Sequence, residues 1–326
     1  MRAALCRRYG GPDVVEIADV PSPELSPGTA RERVRVGAVN FPDVLVIADT
    51  YQVSAPVPFI PGSEFAGEVV EVAEGADGVA VGDRVFGSVF IGAFADEVVV
   101  GSRSLSRTPD GVDDTTAAAF GVAYKTAYHV LRSVAELQPG DELVVLGAGG
   151  GVGSAAVQLG ALLGATVTAV ASTDEKLDAA RACGATRVIN HRAGDLRLAL
   201  RDALPDGADA VVDPVGGDLA EPALRAVHWG GRFVTVGFAS GTIPRIPLNL
   251  VLLKGVQVLG FQFRDFATHR AADMARNDAE LLELLARGRA RPVVGASYDL
   301  AETAEALRVV GEGEAVGKVV LQVAPV

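Results

Sequence analysis

The chain has 326 residues, 49% hydrophobic and 21% charged, so it can bury a large core, and its length favours two domains over one. A net charge of −12 argues against a nucleic-acid or anionic-membrane surface, which would need clustered Lys and Arg. No run of 18 apolar residues occurs, Met1-Arg2-Ala3-Ala4-Leu5-Cys6-Arg7-Arg8 lacks a signal-peptide core, and Cys6 and Cys183 are too few and too distant for a disulfide framework or cysteine zinc site, so a cytoplasmic protein is expected.

Residues 1–121 hold nine of the seventeen prolines and read as short strands between turns, including Glu68 to Val72, Arg84 to Gly87 and Phe94 to Val100. They predict a β-rich domain. From 122 to 263, strands near 142–146, 166–171, 187–190, 209–213, 232–236 and 256–261 alternate with helical patterns, the texture of an α/β, doubly wound parallel sheet. Within it Gly164-Ala165-Thr166 and Cys183-Gly184-Ala185-Thr186 each end a helix with glycine just past its last turn. Beyond 264, amphipathic segments near 276–287 and 301–310 precede a closing strand at 317–323. The expected division is 1–121 with 264–326, and 122–263.

The stretch Gly147-Ala148-Gly149-Gly150-Gly151-Val152-Gly153 follows the apolar run Glu142 to Leu146 and precedes a proline-free helical pattern, Ser154 to Leu163. Strand, glycine turn and helix in this order suit a dinucleotide diphosphate at a helix N-terminus, although the glycine spacing departs from G-x-G-x-x-G. About 20 residues on, Ala169-Val170-Ala171-Ser172-Thr173 lacks the carboxylate that binds an NAD ribose. Ser172 and Glu175 form an S-x-x-E capping box, which turns Glu175 back on the backbone. Lys176, one of only four lysines, places a cation in the first turn of a helix, where the macrodipole opposes it unless an anion is near. With His191 and Arg192 it predicts a site for the 2′-phosphate of NADPH.

The whole pattern resembles the zinc-independent quinone oxidoreductases, the zeta-crystallin-like branch of the medium-chain dehydrogenase/reductase superfamily. The resemblance rests on Val39-Asn40-Phe41-Pro42-Asp43, Pro61-Gly62-Ser63-Glu64-Phe65-Ala66-Gly67, Gly82-Asp83-Arg84-Val85, Thr126-Ala127-Tyr128, Gly150-Gly151-Val152-Gly153, Asp213-Pro214-Val215-Gly216-Gly217, Gly237-Phe238-Ala239-Ser240-Gly241 and Gly317-Lys318-Val319-Val320. It implies a GroES-like β-rich catalytic domain, made from both chain ends, and a Rossmann NADP-binding domain, with the active site in the cleft. It further implies that Gly150, Gly151 and Val152 approach the pyrophosphate, that Ser172 and Lys176 hold the 2′-phosphate, and that Val215 and Gly216 border the adenosine half. Phe238, Ala239, Phe261 and Phe263 line the nicotinamide half, with Lys318 near the cleft, while Asn40, Tyr51 and Thr126 stand beside nicotinamide and substrate. A homodimer pairing the sheet edge near Val256 to Phe261 is also implied.

Two positions depart from the family. His191 stands where many relatives have Tyr, and Lys125 replaces a small or apolar residue, as a solvated helix residue or as added charge near the diphosphate. Where zinc-bearing relatives carry a cysteine ligand and the histidine of Gly-His-Glu, this chain has Asn40 and Ser63; Glu64 alone reads as a buried hydrogen-bonding residue. His129, His228 and His269 show no metal-ligand spacing. Lacking a Lewis acid, the site suits an acceptor already activated by conjugation, whose developing oxyanion hydrogen-bond donors can stabilise. Asn40 and Tyr51 are the candidate donors. The expected function is NADPH-dependent reduction of a small-molecule quinone or enone; an enoyl-thioester reductase with a basic groove of Arg245, Arg264 and Arg270, or a non-catalytic NADPH-binding protein, are the alternatives.

Overall fold

Along the chain, which a computed structural model describes over residues 1–323, strands dominate the first third. They are β1 (Arg2–Cys6), β2 (Val15–Asp19), β3 (Thr29–Val39), β4 (Glu64–Val72), β5 (Arg84–Ser88), β6 (Glu97–Gly101) and β7 (Leu105–Arg107), with α1 (Phe41–Ile47) after β3 and α2 (Asp114–Ala118) after β7. Next come α3 (Gly121–His129), β8 (Glu142–Leu146), α4 (Gly151–Leu162), β9 (Thr166–Ala171), α5 (Asp174–Ala182), β10 (Arg187–Asn190), α6 (Leu196–Ala203), β11 (Ala208–Asp213), α7 (Ala220–Ala226) and β12 (Val227–Thr235). Then follow α8 (Leu248–Lys254), β13 (Gln257–Gly260), α9 (Phe263–His269), α10 (Ala271–Ala286), β14 (Val294–Asp299), α11 (Thr303–Gly311) and β15 (Lys318–Gln322). Two units result: Met1–Val122 with the chain from Val294 on, and Ala123–Val293.

In the first unit a seven-stranded sheet runs β14-β15-β3-β4-β5-β7, with β6 also paired to β3. On β3, alternation puts Ala30, Val34 and Val36 inside, as period 2 requires. Glu32 shares that face: it is fully buried, neither carboxylate oxygen has a hydrogen-bond partner among the described residues, and burial pushes its pKa up to about 8. Strand β15 pairs antiparallel with β3, Val319 opposite Val39, and so brings Lys318 beside the start of α1.

The second unit is a six-stranded parallel sheet in the order β10-β9-β8-β11-β12-β13, the 3-2-1-4-5-6 arrangement of dinucleotide-binding folds. Its central strands are apolar and buried on both faces, including Leu143 to Leu146 and Ala210 to Val212. Helices α4 and α5 end at Gly164 and Gly184, both in the left-handed region, φ +89° and +105°.

Two expectations need correction. The boundary placed at 263 falls at 293, because α10 is tied to α3 within the second unit: Tyr128 donates to Glu280 (2.8 Å), Lys125 pairs with Asp278 (3.3 Å), and Asn277 meets His129 Nδ1 (3.1 Å). The same ion pair corrects Lys125, which is neither free in solvent nor committed to a diphosphate.

Candidate functional site

In the second unit, the turn after β8 and the loop after β11 meet where strand order reverses, the place at which such sheets bind ligands. Gly150 caps α4, whose first-turn amides are Gly151, Val152 and Gly153. A Cβ at Gly153 would stand 2.0 Å from the Gly147 carbonyl oxygen, so only glycine lets the helix start so close to the turn. A Cβ at Gly149 would collide with the Lys176 stem at 2.5 Å. Lys176 therefore crosses the turn; it is only 9% exposed.

The capping box expected at Ser172 and Glu175 is one residue out of place. Thr173 is the N-cap of α5, and its hydroxyl accepts from the Lys176 amide at 3.4 Å. Thr173 can do this because its own backbone is extended while Asp174 begins the helix. His191, just past β10, is half-buried; burial and the charges of Arg192 and Lys176 lower its pKa. Cations thus gather at the carboxyl ends of β9 and β10, beside the glycine turn. A phosphate dianion fits such a field.

After β11, the Val215 and Gly216 amides both donate to Asp213 Oδ1 at 2.8 Å, so these donors shape the loop. Phe238 and Ala239 lie on the loop after β12, with Phe238 37% exposed. Phe261 and Phe263 were expected to line the nicotinamide half, but their rings pack on His129, with centroids at 6.3 and 5.6 Å, and Phe261 is buried. His129 is itself fully buried. Asn277 donates to Ser133 and receives from Arg276 through its oxygen, so its amide donates to His129 Nδ1, leaving the ring proton on Nε2 facing Asp278 at 3.5 Å. Thr126, one turn earlier on α3, is 9% exposed.

The first unit holds a buried polar network. Lys318, 4% exposed, donates to Asn40 Oδ1 (2.5 Å), Glu64 Oε2 (2.9 Å) and the Val39 carbonyl (3.3 Å). Asn40 Nδ2 donates to Glu64 (3.0 Å), the Ala38 carbonyl (3.3 Å) and Ser63 Oγ (3.4 Å), while Glu64 Oε1 accepts from the Val122 amide (2.6 Å). The Asn40 amide also donates to Asp43 Oδ2 at 2.8 Å. Burial raises the Asp43 pKa to about 7, helped by Glu64 and opposed by the hydrogen bonds from Asn40 and Ser63 and by Lys318. Sequence reasoning overlooked Asp43, although its position three residues after Asn40 marks a helix start.

These contacts bear on two of the expected roles. Asn40 was expected to donate to substrate, yet both its polar atoms are engaged within the network. Lys318 was expected at a cofactor, yet its three hydrogens have oxygen partners inside the unit. Nor do these residues fit zinc: an ammonium stands between the amide and the carboxylate, and among the described residues no group of three or more His, Cys, Asp or Glu could hold a metal ion. Tyr51 differs. Its half-buried ring stacks on Phe90 at 6.3 Å, and its hydroxyl makes no hydrogen bond among the described residues.

Residues 26–137 match the family described as alcohol dehydrogenase GroES-like domain, and residues 151–280 that described as zinc-binding dehydrogenase. The bovine (Bos taurus) quinone oxidoreductase-like protein 2 is 35% identical over 98% of this chain and 92% of its own length. The quinone oxidoreductase of Thermus thermophilus, solved also in complex with NADPH, superposes with a TM-score of 0.87 at 32% identity, over 99% of this chain and 100% of that one. The polyketide synthase GfsB of Streptomyces halstedii is 36% identical over 92% of this chain, which spans 5% of that protein. No helix among the described residues is long and apolar enough to cross a membrane.

Proposed function

The chain belongs to the quinone oxidoreductase branch of the medium-chain dehydrogenase/reductase superfamily, and from that premise we propose that it is an NADPH-dependent reductase that acts without metal on quinones or α,β-unsaturated carbonyl compounds. The observation that carries this reading is the gathering of Lys176, His191 and Arg192 beside the glycine turn. NADPH, when bound, supplies the hydride. The amides of Gly151 and Val152, at the positive end of α4, face its diphosphate, while Lys176 and His191, with the Ser172 hydroxyl released from capping duty, hold the 2′-phosphate.

An acceptor reduced at carbon or at a ring carbonyl gains negative charge on oxygen. Tyr51 carries the free hydroxyl that can donate to that oxygen and deliver a proton to it. Asn40 does not donate to the acceptor; together with Lys318 and Glu64 it fixes the start of α1, from which the Tyr51 loop departs. The test follows NADPH absorbance with a naphthoquinone, a short enone and an enoyl-CoA ester. Turnover of quinone or enone is expected, with Tyr51→Phe lowering kcat about 100-fold and leaving the KM for NADPH unchanged. NADPH raising the melting temperature without turnover of any acceptor would leave a binding protein instead.

The match to a polyketide synthase favours a second reading, reduction of an enoyl thioester. Its basic groove is only partly available. Arg270 is paired with Asp273 at 2.5 Å, whereas Arg264 is exposed and Arg245 lines a cavity of about 600 Å³ whose other charges are mixed, Arg197 and Arg225 against Asp195, Asp218 and Glu221, with Arg225 paired to Glu221. Preference for enoyl-CoA over the free enone would select it. The proposal includes a homodimer across the edge strand β13, beside which Trp229, Leu252 and Leu253 are exposed; a monomer mass by light scattering would remove that part.

A further inference from the structure

Between β5 and β6 the chain is pinned on both sides of one exposed aromatic residue. The Val89 amide donates to the Ser63 carbonyl at 2.9 Å, and the Ala93 and Phe94 amides donate to the Gly62 and Pro61 carbonyls at 3.0 Å each. Val89 and Ile91 pack against the core of the first unit, as does the fully buried Phe94. The chain bends at Phe90 and Ile91, and Phe90, between the two core-packed residues, is 37% exposed. A loop held this firmly presents the ring by construction.

The ring is not alone. Tyr51, from the segment after α1, lies against it with centroids 6.3 Å apart and planes inclined by 28°. The two form a shallow aromatic face. Its position is set by the buried network: Val89 is bonded to Ser63, whose Oγ lies 3.4 Å from Asn40 Nδ2, and Asn40 is the residue from which α1, leading to Tyr51, starts. The face therefore includes Tyr51, whose hydroxyl makes no hydrogen bond among the described residues.

We propose that Phe90 is a specificity-determining residue: with Tyr51 it forms a platform on which a planar conjugated ring stacks, so that ring quinones are favoured over short open-chain enones. The proposal rests on the reductase reading above and names the substrate class of that site. Offset stacking between rings contributes a modest but selective attraction that an open chain of few atoms cannot match. A ring held there presents its carbonyl oxygen toward the Tyr51 edge of the platform.

The test compares wild type, Phe90→Ala and Phe90→Leu with a naphthoquinone and a short enone at saturating NADPH. Because Phe90 is exposed, both variants keep the wild-type melting temperature, which is measured first. Phe90→Ala is expected to raise the quinone KM about 3- to 10-fold, with kcat and the enone KM unchanged. Phe90→Leu keeps apolar area but no π-face, so it recovers only part of the loss. Equal rises for both acceptors, or full recovery by Phe90→Leu, would overturn the platform. Should wild type reduce neither acceptor, the reductase reading fails on that result alone. Calorimetric titration with the quinone then judges the platform separately: weaker binding to Phe90→Ala supports it, and an unchanged Kd overturns it.

Discussion

Lys176 and Lys318, two of the four lysines in the chain, are buried to a similar degree, one in each unit. Lys318 has a carboxylate at 2.9 Å and two further oxygens for its remaining hydrogens, so its charge is spent inside the first unit. Lys176 crosses a glycine turn in the second unit, beside His191, whose pKa is lowered by burial and then by the charges of Arg192 and Lys176. The contrast teaches that burial alone does not assign a lysine to a ligand. What distinguishes the two is position: one ammonium sits on Glu64 in a closed network, the other crosses the glycine turn beside His191 and Arg192.

The largest effect expected from breaking this contrast is on stability. Lys318→Met leaves Glu64 as an uncompensated buried charge and should cost about 3–5 kcal/mol in urea unfolding. Adding Glu64→Gln should restore most of the loss, because the pair then disappears together. If the single variant unfolds like wild type, Lys318 is not a structural charge.

Glu32 gives a second case, of the opposite sign, being a buried carboxyl with no hydrogen-bond partner among the described residues. Its folded pKa, about 8, exceeds the ordinary value of 4.5. The folded state therefore binds the extra proton, and stability is full below pH 4.5 and falls as pH rises toward 8. Asp43, raised from 3.8 to about 7, contributes a similar loss at lower pH. Glu32→Met should remove most of the slope between pH 7 and 8, where Asp43 is past its midpoint, and add about 2–3 kcal/mol at pH 8. An unchanged slope in that window would show that Glu32 ionises freely in the folded protein.

Local signals in the sequence located most elements of the second unit. Apolar runs such as Glu142 to Leu146 and Thr166 to Ala171 are strands with those bounds, because both faces are covered and every residue is selected for burial. Boundaries slipped where two residues compete for one task. Ser172 and Thr173 can each cap α5, and the S-x-x-E pattern favoured the wrong one. The first unit was less legible, since its key contacts are distant in sequence: Lys318 meets Glu64 across 254 residues and Asn40 across 278. No motif reports such a partner. The contact between His129 and α10 was missed likewise, since Asn277 lies 148 residues from His129.

The measurement that bears most directly on the contrast between the two lysines is equilibrium titration of wild type and Lys176→Ala with NADPH and with NADH, followed by nucleotide fluorescence. Loss of a charge-assisted contact to the 2′-phosphate predicts roughly 10- to 100-fold weaker NADPH binding, with NADH unaffected and the two cofactors nearly equal in the variant. Equal affinities in wild type, or a variant that loses NADH as much as NADPH, would contradict the assignment of Lys176 to a phosphate.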